Sequence, residues 1–174
     1  MLALLLAMST PPLFALLGRS PLVTVLAATA LAATAGAWEA ERKGKDKSKT
    51  CYIVSFPRKK EGKYTRRDPT YLVVAHRPGE RVFKEVSIEA GYNYKPDSVV
   101  TVQIDGNQTY KLFTRDRNAW PTNPAADKAM VNTMKRGRTL VLKGTSSRGT
   151  PTTDTYSLTG FTRALTKIDK DCRG

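Results

Sequence analysis

The sequence predicts a mainly β fold: an antiparallel β-sandwich or partly closed barrel with two short helices, the second C-terminal. Three observations lead there. Short apolar runs alternate with period two, which places each apolar set on one side of a sheet. Turn-forming residues separate the runs at short spacing. Only two segments carry a helical period, and they do not alternate with strands as a parallel βαβ sheet requires. With 174 residues and 40% hydrophobic content, the chain suffices for one domain with a real core.

The elements follow in order. Residues 1–37 read as an apolar leader. Arg19 precedes the run Pro21–Ala37, the leader contains no acid, and Ala35-Gly36-Ala37 supplies small residues at its end. That is the pattern of a signal peptide, with cleavage expected between Ala37 and Trp38. An uncleaved membrane anchor is the alternative, although the run is short for a span. Pro11 and Pro12 interrupt an earlier apolar stretch, Met1–Gly18. A start upstream of the true one, with Met8 the next candidate, accounts for this stretch, as does a helical hairpin in the membrane. Loss of the leader removes Arg19 and no acid, so the net charge of +14 falls to +13. Export leads to an oxidising compartment, with periplasmic residence and secretion both open. There the chain's two cysteines, Cys51 and Cys172, are expected to pair and tie the last helix to the first strand; two free thiols are the alternative.

Residues 38–50 form a basic N-terminal segment, of which Glu41–Lys49 has no apolar period and reads as flexible or as a sheet edge. A single β-rich domain is expected over 51–174. Cys51–Phe56 sets Ile53 on one face and Tyr52, Val54 and Phe56 on the other. Tyr71–His76 is almost continuously apolar, as in a strand covered on both sides. Val82–Ala90 sets Val82, Val86, Ile88 and Ala90 on one face, and Ser98–Ile104 does the same with Val100, Val102 and Ile104. Asp105-Gly106 between Ile104 and the run Thr109–Phe113 signals a hairpin. Thr139–Gly144 and Thr153–Leu158 flank the tip Thr145–Thr152 and read as another. The total is about seven strands.

The first helix starts at Asn123 as N-cap with Pro124 in the first turn, stops at Gly137, and carries Ala126, Met130, Val131 and Met134 on its apolar stripe. The second places Leu158, Phe161, Leu165, Ile168 and Cys172 on one helical face, with cations in its last turns.

Chemistry-bearing motifs are sparse. His76 is the single histidine and reads as a core or strand-end residue. No serine sits in a nucleophile motif, and neither a zincin nor a phosphate-loop motif occurs. With one histidine and one cysteine pair, a zinc site is not expected. A non-enzyme without cofactor is therefore expected. Charge is the main surface signal. Between Glu41 and Arg67, eleven cations face Glu41, Asp46 and Glu61 alone. Arg58, Lys59, Lys60, Lys63, Arg66 and Arg67 are the candidate anion-binding residues, with Arg148 in the tip Thr145–Thr152. A solvated cationic face and a plain hairpin tip are the alternatives. Tyr92, Tyr94 and Trp120 lie beside turns and are candidate partner-binding residues, or else lids over the core edge. Two function classes follow. One is a non-catalytic protein that binds an anionic envelope or host-surface component. The other is a structural or chaperone-like periplasmic protein that meets a protein partner through aromatic loops. Export disfavours nucleic acid, and any membrane association is peripheral.

Several stretches carry a family likeness: Trp38, Cys51-Tyr52-Ile53 with PRKKEGKYTRRDP, VSIEAGYNY, YKLFTRDRNAW, DKAMVNTMKRG, and VLKGTSSRGTPTTDTYSLTGFTRALTKIDKDC. Together they resemble the invasion-associated locus B family of exported alphaproteobacterial proteins. The resemblance implies a periplasmic or outer-membrane-associated β-rich protein and, in the family's best-known members, a contribution to host-cell invasion. It implies no catalytic residues. The doubled apolar leader is a departure from the pattern.

Overall fold

The computed structural model describes residues 36–173. The apolar leader and both candidate starts lie outside them, apart from Gly36 and Ala37. Ten antiparallel strands form one sheet: β1 (Trp38–Lys43), β2 (Thr50–Ser55), β3 (Lys59–Gly62), β4 (Tyr71–Arg77), β5 (Val82–Glu89), β6 (Val99–Ile104), β7 (Gln108–Arg115), β8 (Asn118–Trp120), β9 (Thr139–Thr145) and β10 (Pro151–Ser157). Two helices complete the fold, α1 (Pro124–Met134) and α2 (Phe161–Arg173).

The strand order, β1-β2-β4-β5-β8-β7-β6-β9-β10-β3, contains the reason for the sheet's curvature. β2 lies next to one edge and β3 is the other edge, yet only Phe56, Pro57 and Arg58 connect them. Three residues span roughly 10 Å at most, so the two edges must approach. The sheet curls into a half-barrel, and the Arg58 amide donates to the Thr155 carbonyl at 2.7 Å where the chain crosses. Trp38 strengthens the same seam: its indole Nε1–H donates to the Ser157 carbonyl at 2.8 Å.

The core follows from the period-two pattern. Ile53, Leu72, Val74, Val86, Ile88, Val100, Val102, Leu112, Leu140, Leu142 and Tyr156 are buried on the concave face. Each large aliphatic side chain contributes about 1.5–3 kcal/mol by leaving water. α2 packs over β1, β2 and β4, and α1 lies against β5. Phe161, Leu165, Ile168 and Cys172 form the buried stripe of α2, with Phe161 edge-to-face against Trp38 at 4.8 Å. The Cys51–Cys172 disulfide is formed and joins α2 to β2. In α1 the Asn123 side chain accepts the Ala126 amide, as an N-cap does. The Asp105-Gly106 turn has positive φ at both residues, 50° and 73°, and closes the β6–β7 hairpin.

Several expectations are corrected. The sheet begins at Trp38, not Cys51, because β1 pairs with β2 from Trp38 to Lys43. Leu158 precedes α2 instead of lying within it, although it is buried. β4 is fully buried on one face and only partly on the other, where Ala75 is buried and Tyr71 and Val73 remain half-exposed. β3 and the three-residue β8 have too few apolar positions to show an alternation. Val82 does not share the buried face of Val86. A β-bulge intervenes, with His76 opposite Phe83 and Ala75 opposite Glu85, so Lys84 is the extra residue at φ 61°. An inserted residue reverses the parity of everything beyond it.

Candidate functional site: a polar cationic cleft

The basic loop after β3 and the tip between β9 and β10 are about 80 residues apart in sequence and meet in space. They border a polar cleft of about 600 Å³. Lys63, Arg66 and Arg148 stand around it as exposed cations, with Thr65, Ser147 and Thr150 adding hydroxyls.

What brings the loops together lies beneath. The Arg67 guanidinium donates to both carboxylate oxygens of Asp154, at 2.7 and 2.6 Å, and its Nε donates to the Ala90 carbonyl at 2.7 Å. The two side chains are 2% and 0% exposed. Tyr64 and Tyr92 lie against the guanidinium, with ring centroids 5.6 and 4.8 Å from it, positions that favour cation–π attraction. Burial alone would lower the Arg67 pKa; the Asp154 hydrogen bonds and charge reverse that and push it above its ordinary value. Arg67 stays charged, with all three of its nitrogens bonded to Asp154 or Ala90 and its side chain buried, so it is removed from the candidate anion-binding set and acts as a staple. Asp68 is fastened as well: Arg117 donates to it at 2.9 Å and to Glu89 at 2.7 Å. The loop is thus pinned at 67 and 68, which leaves Lys63 and Arg66 as its outward charges.

The other side is also braced. Tyr92 and Thr152 share a hydroxyl–hydroxyl hydrogen bond of 2.6 Å. Burial pushes the Tyr92 pKa up, against the Thr152 bond and the Arg67 charge. The tip satisfies its own backbone: the Ser146 amide donates to Thr150 O, Ser147 to Asn93 O, Gly149 to Ser146 O, and Thr150 to Ser146 Oγ. Those amides are therefore not free to cradle an anion. What the tip offers is Arg148 and hydroxyls.

The remaining candidates separate. Arg58, Lys59 and Lys60 lie on or beside β3 and do not line the cleft; Lys59 pairs with Glu61 at 2.8 Å on the open surface. Tyr94 is 4% exposed and packs edge-on against Tyr92, so it is a core residue, not a recognition residue. Tyr92 is half-buried against Arg67 and reaches the cleft wall. Trp120 lies away from this cleft, stacked on Phe113 at 5.6 Å. His76 is buried: its Nδ1 accepts the Lys84 amide at 3.1 Å, so its proton is on Nε2 and goes to Asp169 Oδ1 at 3.0 Å. It ties the bulge to α2. Among the described residues, no group of three or more His, Cys, Asp or Glu side chains converges as metal ligands.

The structural role of Asp154 is what sequence reasoning did not assign. Its signal was present: Thr152 and Tyr156 flank it at spacing two on the buried face of β10, and a carboxylate there requires a cationic partner.

Residues 38–169 match the family model described as invasion associated locus B (IalB) protein. The crystal structure of invasion associated protein B from Bartonella henselae is similar in fold, with a TM-score of 0.56 and 19% identity over 81% of this chain and 97% of that chain. No curated protein matches. Neither likeness points to a catalytic family.

Proposed function

The chain belongs to the invasion associated locus B family, and we propose that it is an exported, non-catalytic envelope protein that binds an anionic saccharide, phosphate- or carboxylate-bearing, of the envelope or of a host surface. The observation that carries this reading is the convergence of Lys63, Arg66 and Arg148 on one polar cleft while Arg67 and Asp68 beside them are tied off. A rigid, water-accessible array of cations and hydroxyls suits a hydrated polyanion. Among the described residues that line the cleft there is no nucleophile–base pair, which supports the non-catalytic reading.

The test uses lipopolysaccharide and its deacylated, phosphate-bearing saccharide, measured by calorimetry across a salt series. Binding should weaken steeply with salt, and K63Q/R66Q/R148Q should lose both affinity and most of the salt slope. K59Q/K60Q, outside the cleft, should change little. Equal binding of the saccharide by the wild type and the cleft triple variant would overturn the assignment.

A further inference from the structure

A second cationic site lies apart from the first, and its chemistry differs. Beyond the end of β8, the open end of β5, the strand β7 and the start of α1 border a groove of about 930 Å³, at the upper end of the roughly 300–1,000 Å³ of small-ligand sites. Its lining includes Phe83, Phe113 and Trp120. Phe83 and Phe113 are 44% and 43% exposed, and only Val99, opposite Phe113 on β6, is a comparably exposed large apolar residue among those described. Exposed aromatics gathered in one concave place mark an interaction site.

The rim is dominated by cations. Arg81, Lys84, Arg115 and Lys128 border the groove and form no salt bridge with a carboxylate among the described residues. The two carboxylates of the lining are already engaged. Glu85 is held by Arg77 at 2.7 Å, and buried Asp127 accepts the Val86 amide at 2.8 Å. The bulge is what presents this chemistry: the left-handed residue Lys84 shifts the strand by one position and so sets Phe83 opposite His76.

We infer that this groove binds an anionic amphiphile, its acyl chain over Phe83, Phe113 and Trp120 and its phosphate or carboxylate head on the rim cations. A peptide is the other ligand an apolar groove commonly takes, usually by adding a strand to an open edge. Here one backbone donor of the open end of β5, the Val86 amide, is already occupied by Asp127, so the ladder that an added strand would need is interrupted. Side-chain aromatics and unopposed cations are what remain, and those match a chain with a charged head.

The probe is dodecyl phosphate, kept monomeric and titrated into the purified protein by calorimetry, with chemical-shift mapping. It should bind on the order of tenfold more tightly than dodecyl maltoside, whose head is uncharged; tenfold corresponds to about 1.4 kcal/mol. Inorganic phosphate alone should not bind there. F113S should weaken the chain contact, and K84Q/R115Q should bring dodecyl phosphate down to the level of the maltoside. Shifts should centre on Phe113 and Trp120, and K63Q/R66Q/R148Q should leave them unchanged, which separates this site from the polar cleft. Equal affinity for the two amphiphiles, or indifference to both groove variants, would overturn the inference. So would binding confined to an acidic peptide or to anionic vesicles, since neither then uses a monomeric chain.

Discussion

The polar cleft and the aromatic groove are both bordered by cations with no carboxylate partner among the described residues, yet they are built on opposite foundations. Beneath the cleft lies a buried ion pair, Arg67 with Asp154, flanked by tyrosines and hydroxyls. The walls of the groove are Phe83, Phe113 and Trp120, and its nearest buried acid is spent on a backbone amide. A cation's ligand depends on what surrounds it. Among hydroxyls and water it suits a hydrated polyanion; above aromatic rings it suits the charged end of an apolar chain.

Four changes test how separate the two regions are, beginning with the largest effect. Removing the disulfide as C51A/C172A opens a loop of 121 residues, and the chain-entropy model assigns about 5 kcal/mol to such a loop. Denaturant unfolding should show a loss approaching that value, with both sites retained below the transition. Selective loss of one site would show that α2 holds that site and not the fold as a whole.

Breaking the buried pair is the second. D154N or R67M strands one partner without water and should cost about 3–5 kcal/mol. It should also release the basic loop and abolish saccharide binding, while dodecyl phosphate still binds the folded fraction. The neighbouring R66Q should change stability by less than about 0.5 kcal/mol. Comparable losses at 66 and 67 would contradict the division between staple and contact residue.

The third concerns the groove. Lys84 occupies a left-handed conformation at φ 61°, which glycine adopts without a Cβ penalty. K84G should gain up to about 1 kcal/mol in thermal unfolding and bind dodecyl phosphate less well, with no effect on the cleft. A loss of stability would mean that the lysine's stem packs usefully at the bulge.

The smallest effect is a pH dependence. Burial raises the Asp127 pKa, and the Val86 hydrogen bond opposes the rise. The folded state therefore holds this proton more tightly than the unfolded chain. Asp127 favours folding most below its unfolded pKa, and that contribution is lost as pH climbs through the folded value. D127N keeps an oxygen for the Val86 amide and removes the titration. Its stability relative to the wild type should rise with pH across that window and then level off. A difference independent of pH would show that Asp127 does not titrate in the folding equilibrium.

Much of the fold was legible because it depends on local pattern. Alternation in Cys51–Phe56, Ser98–Ile104 and Thr139–Gly144 marks strands whose buried face is decided residue by residue. Asp105-Gly106 marks its hairpin because few other residues tolerate positive φ twice in succession. Asn123-Pro124 marks a helix start by capping chemistry. The candidate site was half legible. Lys63, Arg66 and Arg148 stood out as charge, but Arg67 carries the same charge and does the opposite work. Only its meeting with Asp154, 87 positions later, distinguishes it.

By itself, then, the sequence determined the β class, the two helices and a cationic surface. Each of these is a property of neighbours along the chain. The tertiary structure decided that β2 and β3, joined by three residues, stand near opposite edges of one sheet and curl it. It decided that the bulge at Lys84 reverses the parity of Val82 and Phe83. It also decided which cations are staples and which face ligand. Those outcomes depend on pairings across long sequence separations, where desolvation obliges a buried charge to find its partner and leaves an exposed one to solvent.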